Sequence, residues 1–484
     1  MEKIINKNKE SKINKTKIPV AIIIFFIASV IFAIPSIIYL VKNKTIYGFY
    51  YVWTYFFKFP ENQTEMLNNA LIFFLIMTIL FLAYIMIAKK HKKINAKKIF
   101  IMVILASVIF GVIIPYTSTD VYSYIANGWS SAHYRENPYY TSTGEIRDIT
   151  GYNDPMFNKV ANCWKYETVV YGPLWTLICT GLSFMSFGNI DIALLLFKVL
   201  NILVHVLNTF LVFKITRKKL FMIIYGLNPF ILFEAISNVH NDIFIILFIL
   251  LAIYFTIRKK NLFLAVAFVA MATAIKYLAI LILPFIVIYY VRNKDIKKRI
   301  IYCLLSGIEY IIIIALFYLI YMRDLNVLAG LFIQQSKYNR SIMYVIFEYF
   351  GQGKVELIQN IALIIFAISY IIICIRLLIQ KEIKFNNIMK KYNIFLFVFT
   401  FILITNFNAW YIMWLIPTMF FLNSKTQETV LALCYSSQIA NFASFALHSE
   451  EQILGIPFLI IMFAGMLVIK AMNMKHIRIE ENVK

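Results

Sequence analysis

"KKHKKINAKKIFIMVILASVIFGVIIPYTSTDVYSYIANGW", Lys89 to Trp129, shows the plan of the chain in one pass. A cluster of lysines comes first, an almost unbroken aliphatic run from Ile99 to Tyr116 follows, and a segment of hydroxyls, tyrosines and one aspartate closes it. The aliphatic run is long enough to cross the ~30 Å hydrocarbon core of a bilayer as a helix. Lysines held at one end and aromatic rings at the other are the marks of a cytoplasmic loop and of headgroup depth on the far side.

The same pattern recurs from end to end. The chain has 484 residues, 61% of them hydrophobic, and a mean hydropathy of +0.76, outside the range of soluble globular domains. The formal charge of +23 does not call for a nucleic-acid partner. Its lysines and arginines collect between apolar runs, as "KNKESKINKTK" before the first run, "RKK" at Arg217 and again at Arg258, "RNKDIKKR" at Arg292 and "MKKY" at Met389. Cytoplasmic loops retain such clusters. Cys163, Cys179, Cys303, Cys374 and Cys434 show no CxxC spacing, so neither a zinc site nor a disulfide framework is expected. The first apolar run, Ile18 to Val41, exceeds the h-region of a signal peptide and reads as a retained anchor with its N-terminus inside.

The fold class expected is therefore an all-α polytopic integral membrane protein. Residues 1–17 form a basic cytoplasmic N-terminus, 18–473 a single transmembrane domain, 117–188 a large outer loop and 474–484 a cytoplasmic tail. Spans are expected near 18–41, 69–88, 99–116, 190–213, 220–236, 240–257, 262–275, 277–291, 300–321, 356–379, 393–408, 410–423, 429–447 and 456–473. That makes about 13 to 14 helices. The run "VYGPLWTLICTGLSFMSFG" from Val170 is read as interfacial or re-entrant, because a full crossing there would carry Arg217 to Lys219 outside. The outer connections are then 42–68, 117–188, "SNVHND", the turn near Lys276, "MRDLNVLAGLFIQQSKYNR", "NFNAWY" and "HSEEQ". In "DVYSYIANGWSSA", Val121, Ile125, Gly128, Trp129 and Ala132 share one helical face, and Tyr124, Asn127 and Ser131 share another, so this helix is expected to lie in the interface.

Polar residues that are not topological clusters gather on the outer side. Asp120 stands at the outer end of a span, where a carboxylate can act as a general base toward a hydroxyl, or simply cap the helix that follows. His240, Asn241 and Asp242 fall at an outer turn, where they can offer hydrogen bonds in fixed directions or serve as turn residues. Lys276 is a cation against the positive-inside trend, suited to an anionic leaving group, with snorkelling as the plain alternative. Among Arg323, Lys337 and Arg340, the last is the candidate phosphate clamp. Trp410 and Tyr411 can stack on a ligand or form an ordinary aromatic belt. Lys198, Glu234 and Glu309 lie deeper and read as structural ion pairs before proton relays. The sequence contains no Walker loop, GxGxxG or HExxH, and no metal or other cofactor is expected.

"STDVYSYIANGW" with "NPYY", then "YGPLW" at Tyr171, "LNPFILFEAISNVHNDIFIILFILLAIY" from Leu227, "AIKYLAILILPF" from Ala274 and "NAWYIMWLIPTMF" from Asn408 together resemble, in order, the bacterial GT-C mannosyltransferases that use polyprenyl-phosphate-mannose, in particular the actinobacterial α-1,6-mannosyltransferases. The resemblance covers roughly residues 100 to 425. It implies a GT-C-like helix bundle, an outer-face active site within the 117–188 loop and an inverting transfer. The sugar, most simply mannose, would pass from a polyprenyl-phosphate donor to a hydroxyl of a glycolipid or envelope glycan. Asp120 matches the family's carboxylate base, and Tyr124, His240, Asn241, Asp242, Lys276, Arg340, Trp410 and Tyr411 become candidate substrate-binding residues. An Ile-, Lys- and Asn-rich composition and the spans ahead of the first motif depart from the actinobacterial pattern. The competing expectation is a transporter or flippase of lipid-linked sugars, which would work through mid-membrane charges at Lys198, Glu234 and Glu309 rather than through Asp120.

Overall fold

The computed structural model describes residues 2–46, 63–150, 154–380, 382–446 and 455–471. The segment 47–62, the "HSEEQ" connection and the expected tail at 474–484 lie outside the described residues. The protein is an all-α polytopic membrane protein, with no β-strand among the described residues. Hydrocarbon offers backbone amides no water, so an apolar run must satisfy its own peptide groups as a helix. Among the described residues, six helices are long and apolar enough to cross: Pro19–Asn43, Ala70–Lys89, Ile190–Thr216, Lys219–Ser237, Ile296–Leu319 and Gln352–Ile379. Other apolar runs fold in shorter pieces. Phe385–Val398 passes into a π turn at Phe399–Leu403, and Ala409–Leu415 winds as a 3-10 helix before Ile416–Met419.

Burial separates the helices by role. In Gln352–Ile379 only 6% of the apolar window is covered, whereas Lys219–Ser237 is covered throughout, 100%, and forms the centre of the bundle. This central segment is broken. The helix Lys219–Gly226 stops at Leu227, Asn228 caps a turn led by Pro229, and Leu232–Ser237 is a π turn that runs into the bend before Asp242–Tyr254. Each break frees carbonyls that hydrocarbon cannot satisfy. One face of Ile190–Thr216 takes them up. Lys198 Nζ donates to the carbonyls of Ile113 and Ser237, Asn201 to Ala235 and His240, and Asn208 to Ile243, while a His205 ring nitrogen lies 3.0 Å from the Gly226 carbonyl. Lys198, read from sequence as one member of an ion pair, is instead a clamp on two helix ends, because the acceptors that packing brings to its ammonium are the carbonyls of Ile113 and Ser237.

Chain direction defines two ends of the bundle. Ala96–Val112, Lys219–Gly226, Leu262–Thr273 and Phe385–Val398 all begin beside basic loops. Those loops interlock: Lys219 donates to Lys92 and Ile94, Arg258 to Ile215, and Arg299 to Leu378. At the other end the same helices give way to four irregular stretches, at Thr117–Asp120, Asn238–Asp242, Ala274–Lys276 and Ile404–Asn408.

Two helices roof that end. Asp120–Ala132 was expected to lie in the interface, yet it is buried against Pro173–Met185. A Cβ on Gly128 would fall 2.3 Å from the Cys179 carbonyl, and Ser183 Oγ donates to the Ile125 carbonyl at 3.0 Å, so the two backbones meet directly. The apolar face read from sequence is real, but a second helix covers it in place of lipid. Pro173–Met185 has 13 residues, about 20 Å at the helical rise and short of the ~30 Å core. Just before it, the Gly172 and Leu174 amides donate to the carbonyls of Ile275 and Ala274, each at 3.0 Å. A Cβ at Gly172 would lie 2.3 Å from the Ala274 oxygen, which is why "YGP" and "AIK" sit side by side.

Candidate active site

Asp120 heads its helix but does not cap it. Thr119 is the capping position, the Asp120 amide donates to Ser118 Oγ at 3.2 Å, and Asp120 Oδ2 accepts from the Tyr171 hydroxyl at 3.4 Å. Its side chain keeps 20% of its surface open. Burial pushes the carboxyl up to about 6, against the opposing pull of the Lys276 cation and the Ser118 hydroxyl. A carboxylate so placed is ionised near neutral pH and still basic enough to accept a proton.

Behind Asp120 stands His240. It is fully buried, with Nδ1 3.7 Å from Asp120 Oδ2 and Nε2 3.5 Å from Glu234 Oε2. Its ring stacks on Trp410 with centroids 3.8 Å apart and planes 20° from parallel. Val239, immediately before it, takes φ of +61°, a left-handed conformation that a β-branched residue adopts only when the surroundings impose it. Burial, and then the charge of Lys276, hold the imidazole well below its ordinary pKa, so it is neutral.

Lys276 leaves the end of Leu262–Thr273 in an extended conformation and reaches Asp242 Oδ1 at 2.8 Å. Trp414 Nε1 donates to the same oxygen at 2.5 Å. The ammonium lies 5.0 Å from the Tyr411 ring centroid, 5.6 Å from Trp414 and 5.8 Å from Tyr171, within cation–π range of all three. Tyr411 and Trp414 stack with centroids 4.2 Å apart.

These groups wall a cavity of about 560 Å³, with Asp120, Ser123, Asn127, Tyr171, Lys276 and Arg340 among its lining residues. Arg340 is placed by a short pairing. The Asn339 amide donates to Thr405 at 3.0 Å, and its carbonyl accepts from Phe407 at 2.9 Å, which docks the 337–340 loop on the 404–408 stretch. Arg340 follows with φ of +49°. Asn406, Asn408 and Gln359 add amides to the wall, while Leu278, Leu363, Phe399 and Leu403 give it an apolar flank.

Of the residues singled out from sequence, Asp120, Lys276, Arg340, Trp410 and Tyr411 line the cavity. Asp242 touches it only through Lys276 and Trp414, and His240 and Asn241 are fully buried at the back. Tyr124 is corrected in position. It is buried against Tyr171 and Trp175, and the face of its helix that meets the cavity carries Asp120, Ser123 and Asn127. Sequence periodicity grouped Tyr124 with Asn127 as polar, whereas packing treats its ring as apolar. Lys337 pairs with Glu167 at 3.2 Å, and Arg323 lies over Tyr140. Tyr171 and Trp414, both inside quoted motifs, are the residues that sequence reasoning left without a part. Glu234, read from sequence as a deep charge in a structural ion pair, accepts on Oε2 from the amide of Asn238 at 2.8 Å.

Residues 27–292 match the family model described as alpha-(1->6)-mannopyranosyltransferase, N-terminal domain, which is more than half of the chain. The chain belongs to this family. The matched region holds Asp120, Tyr171, Glu234, His240, Asp242 and Lys276, and ends before Arg340 and Trp410. The chain is also similar to alpha-(1->6)-mannopyranosyltransferase A of Corynebacterium glutamicum, 26% identical over 181 residues. That alignment covers 36% of this chain and 35% of the relative, so the chain spans about a third of the relative's length. No solved structure matches the chain.

Proposed function

We propose that this family member is a membrane glycosyltransferase that moves a mannosyl residue from a polyprenyl-phosphate donor to a hydroxyl of a glycolipid or envelope glycan, with inversion at the anomeric carbon. The observation that carries the proposal is the placing of the Asp120 carboxylate on the wall of a cavity also lined by Lys276 and Arg340, where the other lining carboxylate, Glu167, is paired with Lys337. The acceptor oxygen forms a bond to the anomeric carbon as the bond from that carbon to the phosphate oxygen breaks. The electron pair leaves with the polyprenyl phosphate, and Asp120 takes the hydroxyl proton. Arg340 and the ammonium of Lys276 stabilise charge on the departing phosphate.

The remaining lining suits such a donor. Trp410, Tyr411 and Trp414 offer rings to the sugar, the amides and hydroxyls offer hydrogen bonds to its oxygens, and Leu278, Leu363, Phe399 and Leu403 offer the prenyl chain an apolar path. A lipid-borne donor enters from the bilayer and needs no nucleotide fold. Family membership supports mannose as the sugar. The basic end of the bundle is the cytoplasmic one, so the cavity, within the 117–188 loop and its neighbours, faces outward and both termini lie inside.

The test is direct. Membranes carrying this chain are incubated with radiolabelled polyprenyl-phosphate-mannose or its glucose counterpart, and labelled glycolipid is measured. Transfer from the mannose donor is expected, and label moved across vesicles without a new glycosidic bond would replace transferase by flippase. Tags at Lys93 and Arg258 are expected to be protected from an external reagent and a tag at Glu145 to react.

A further inference from the structure

His240 has no counterpart in the chemistry just described, yet it is the most constrained titratable group near Asp120. The Trp410 stack and the Val239 turn fix its plane, and both ring nitrogens are sealed from water without a hydrogen bond of ordinary length. Each nitrogen faces one carboxylate, Asp120 Oδ2 at 3.7 Å and Glu234 Oε2 at 3.5 Å, so a closing of about half an ångström or more on the Asp120 side and of roughly 0.3 Å or more on the Glu234 side satisfies both.

A neutral imidazole has one donor and one acceptor, and an ionised carboxylate only accepts. With the ring neutral, both contacts form only if one of the two carboxyls carries a proton. Glu234 is 0% exposed and already accepts from Gln438 and Asn441 on Oε1 and from Asn238 on Oε2. Asp120 touches the cavity, has the Tyr171 and Ser118 hydroxyls beside it and feels Lys276. The negative charge belongs where cation and water are, and the proton where they are not.

We infer that Glu234, carrying a proton, donates to His240 Nε2, and that His240 Nδ1–H donates to Asp120 Oδ2, so that the pair positions Asp120 as an ionised base with its other lone pairs turned to the cavity. This rests on the reading of Asp120 as the base. His240 and Glu234 are positioning residues that touch no substrate. The charged and titratable groups around the ring are Asp120, Glu234, Lys276, Asp242 and the Tyr171 hydroxyl. When Glu234 loses its proton, the ring shifts its own hydrogen to Nε2 and turns a lone pair toward Asp120. The base then loses its orientation, and kcat falls at alkaline pH.

The experiment uses the full chain in vesicles with polyprenyl-phosphate-mannose. His240→Phe, which keeps the stack on Trp410, is expected to lower kcat by about 10- to 100-fold, the usual loss when an orienting partner is removed, with the donor KM unchanged. Glu234→Leu is expected to do the same. Glu234→Gln, which still offers His240 a donor, retains most of the rate and lacks the alkaline fall. Selective 15N labelling of histidine reads the tautomer in the wild-type protein without any turnover: hydrogen on Nδ1 is expected, and hydrogen on Nε2 overturns the inference even where a variant fails to fold. If Asp120→Asn is inert while His240→Phe keeps the wild-type kcat, the inference fails and the base reading stands. If Asp120→Asn is active, both fall.

Discussion

Two groups of polar residues sit in this bundle, and they differ in what they face. Lys198, Asn201, His205 and Asn208 run along one side of Ile190–Thr216 and meet backbone carbonyls of the broken central segment and of the helix ends beside it, Ile113 among them. Asp120, Lys276 and Arg340 are carried by the irregular ends of other helices and line open space. The first group completes helices whose peptide groups have no water to turn to. The second lines the cavity where the proposed donor and acceptor would meet. In an apolar chain, then, polarity does not mark function, and a polar side chain is a site residue only when no backbone group claims it.

The largest effect that can break this comparison is at Asp120. Asp120→Asn keeps shape and helix preference but cannot take a proton, so transfer is expected to fall by about 10²- to 10⁴-fold while the melting temperature and donor binding stay put. An unchanged rate would move Asp120 into the structural group. Next comes the phosphate end. Arg340→Gln or Lys276→Gln is expected to cost about 10²- to 10³-fold in kcat. Lys276→Gln also strands Asp242 as a buried unpaired charge, costing about 3 to 5 kcal/mol. Adding Asp242→Asn is expected to restore the stability and not the rate, and recovery of both would make Lys276 a structural pair only.

The pH dependence of kcat/KM is a smaller and finer test. Because burial raises the Asp120 carboxyl to about 6, the base is protonated below that pH and ionised above it. The rate is expected to drop about tenfold per unit below pH 6 and to stay level above it until the alkaline fall expected from Glu234, and a flat profile down to pH 4 excludes Asp120 as the base. On the other side of the comparison no change in chemistry is expected. Asn201→Leu leaves the carbonyls of Ala235 and His240 without a donor and is expected to lower stability by about 1 to 3 kcal/mol, with kcat of the folded fraction unaltered. A lost rate in that variant at unchanged stability would put Asn201 with the working residues.

Much of this was legible along the chain. Asp120, Lys276, Arg340, Trp410 and Tyr411 were picked out because each is polar or aromatic at the outer end of an apolar run, and all five line one cavity. Tyr124 and Lys198 were not read correctly for a common reason. Whether a tyrosine presents its ring or its hydroxyl, and whether a lysine meets an acid or a carbonyl, depends on neighbours more than 30 residues away, such as Trp175 for the one and Ile113 for the other. Glu234 was read only as a deep charge for the same reason, since two of the amides that frame it, those of Gln438 and Asn441, come from 204 and 207 residues later in the chain.

By itself the sequence determined the membrane, the helices and the end of the bundle where the polar residues outside the basic clusters gather. Those follow from local quantities: the length of an apolar run, the placing of lysines, a carboxylate after a span. Tertiary structure alone decided that Asp120, His240 and Glu234 stand in one line and that Lys276 reaches Asp242, because the turns that carry them are separated by up to 156 residues and meet only when the helices between them have packed. Hydrogen-bond satisfaction in a dry interior is a property of three-dimensional neighbours. No periodicity along the chain records it.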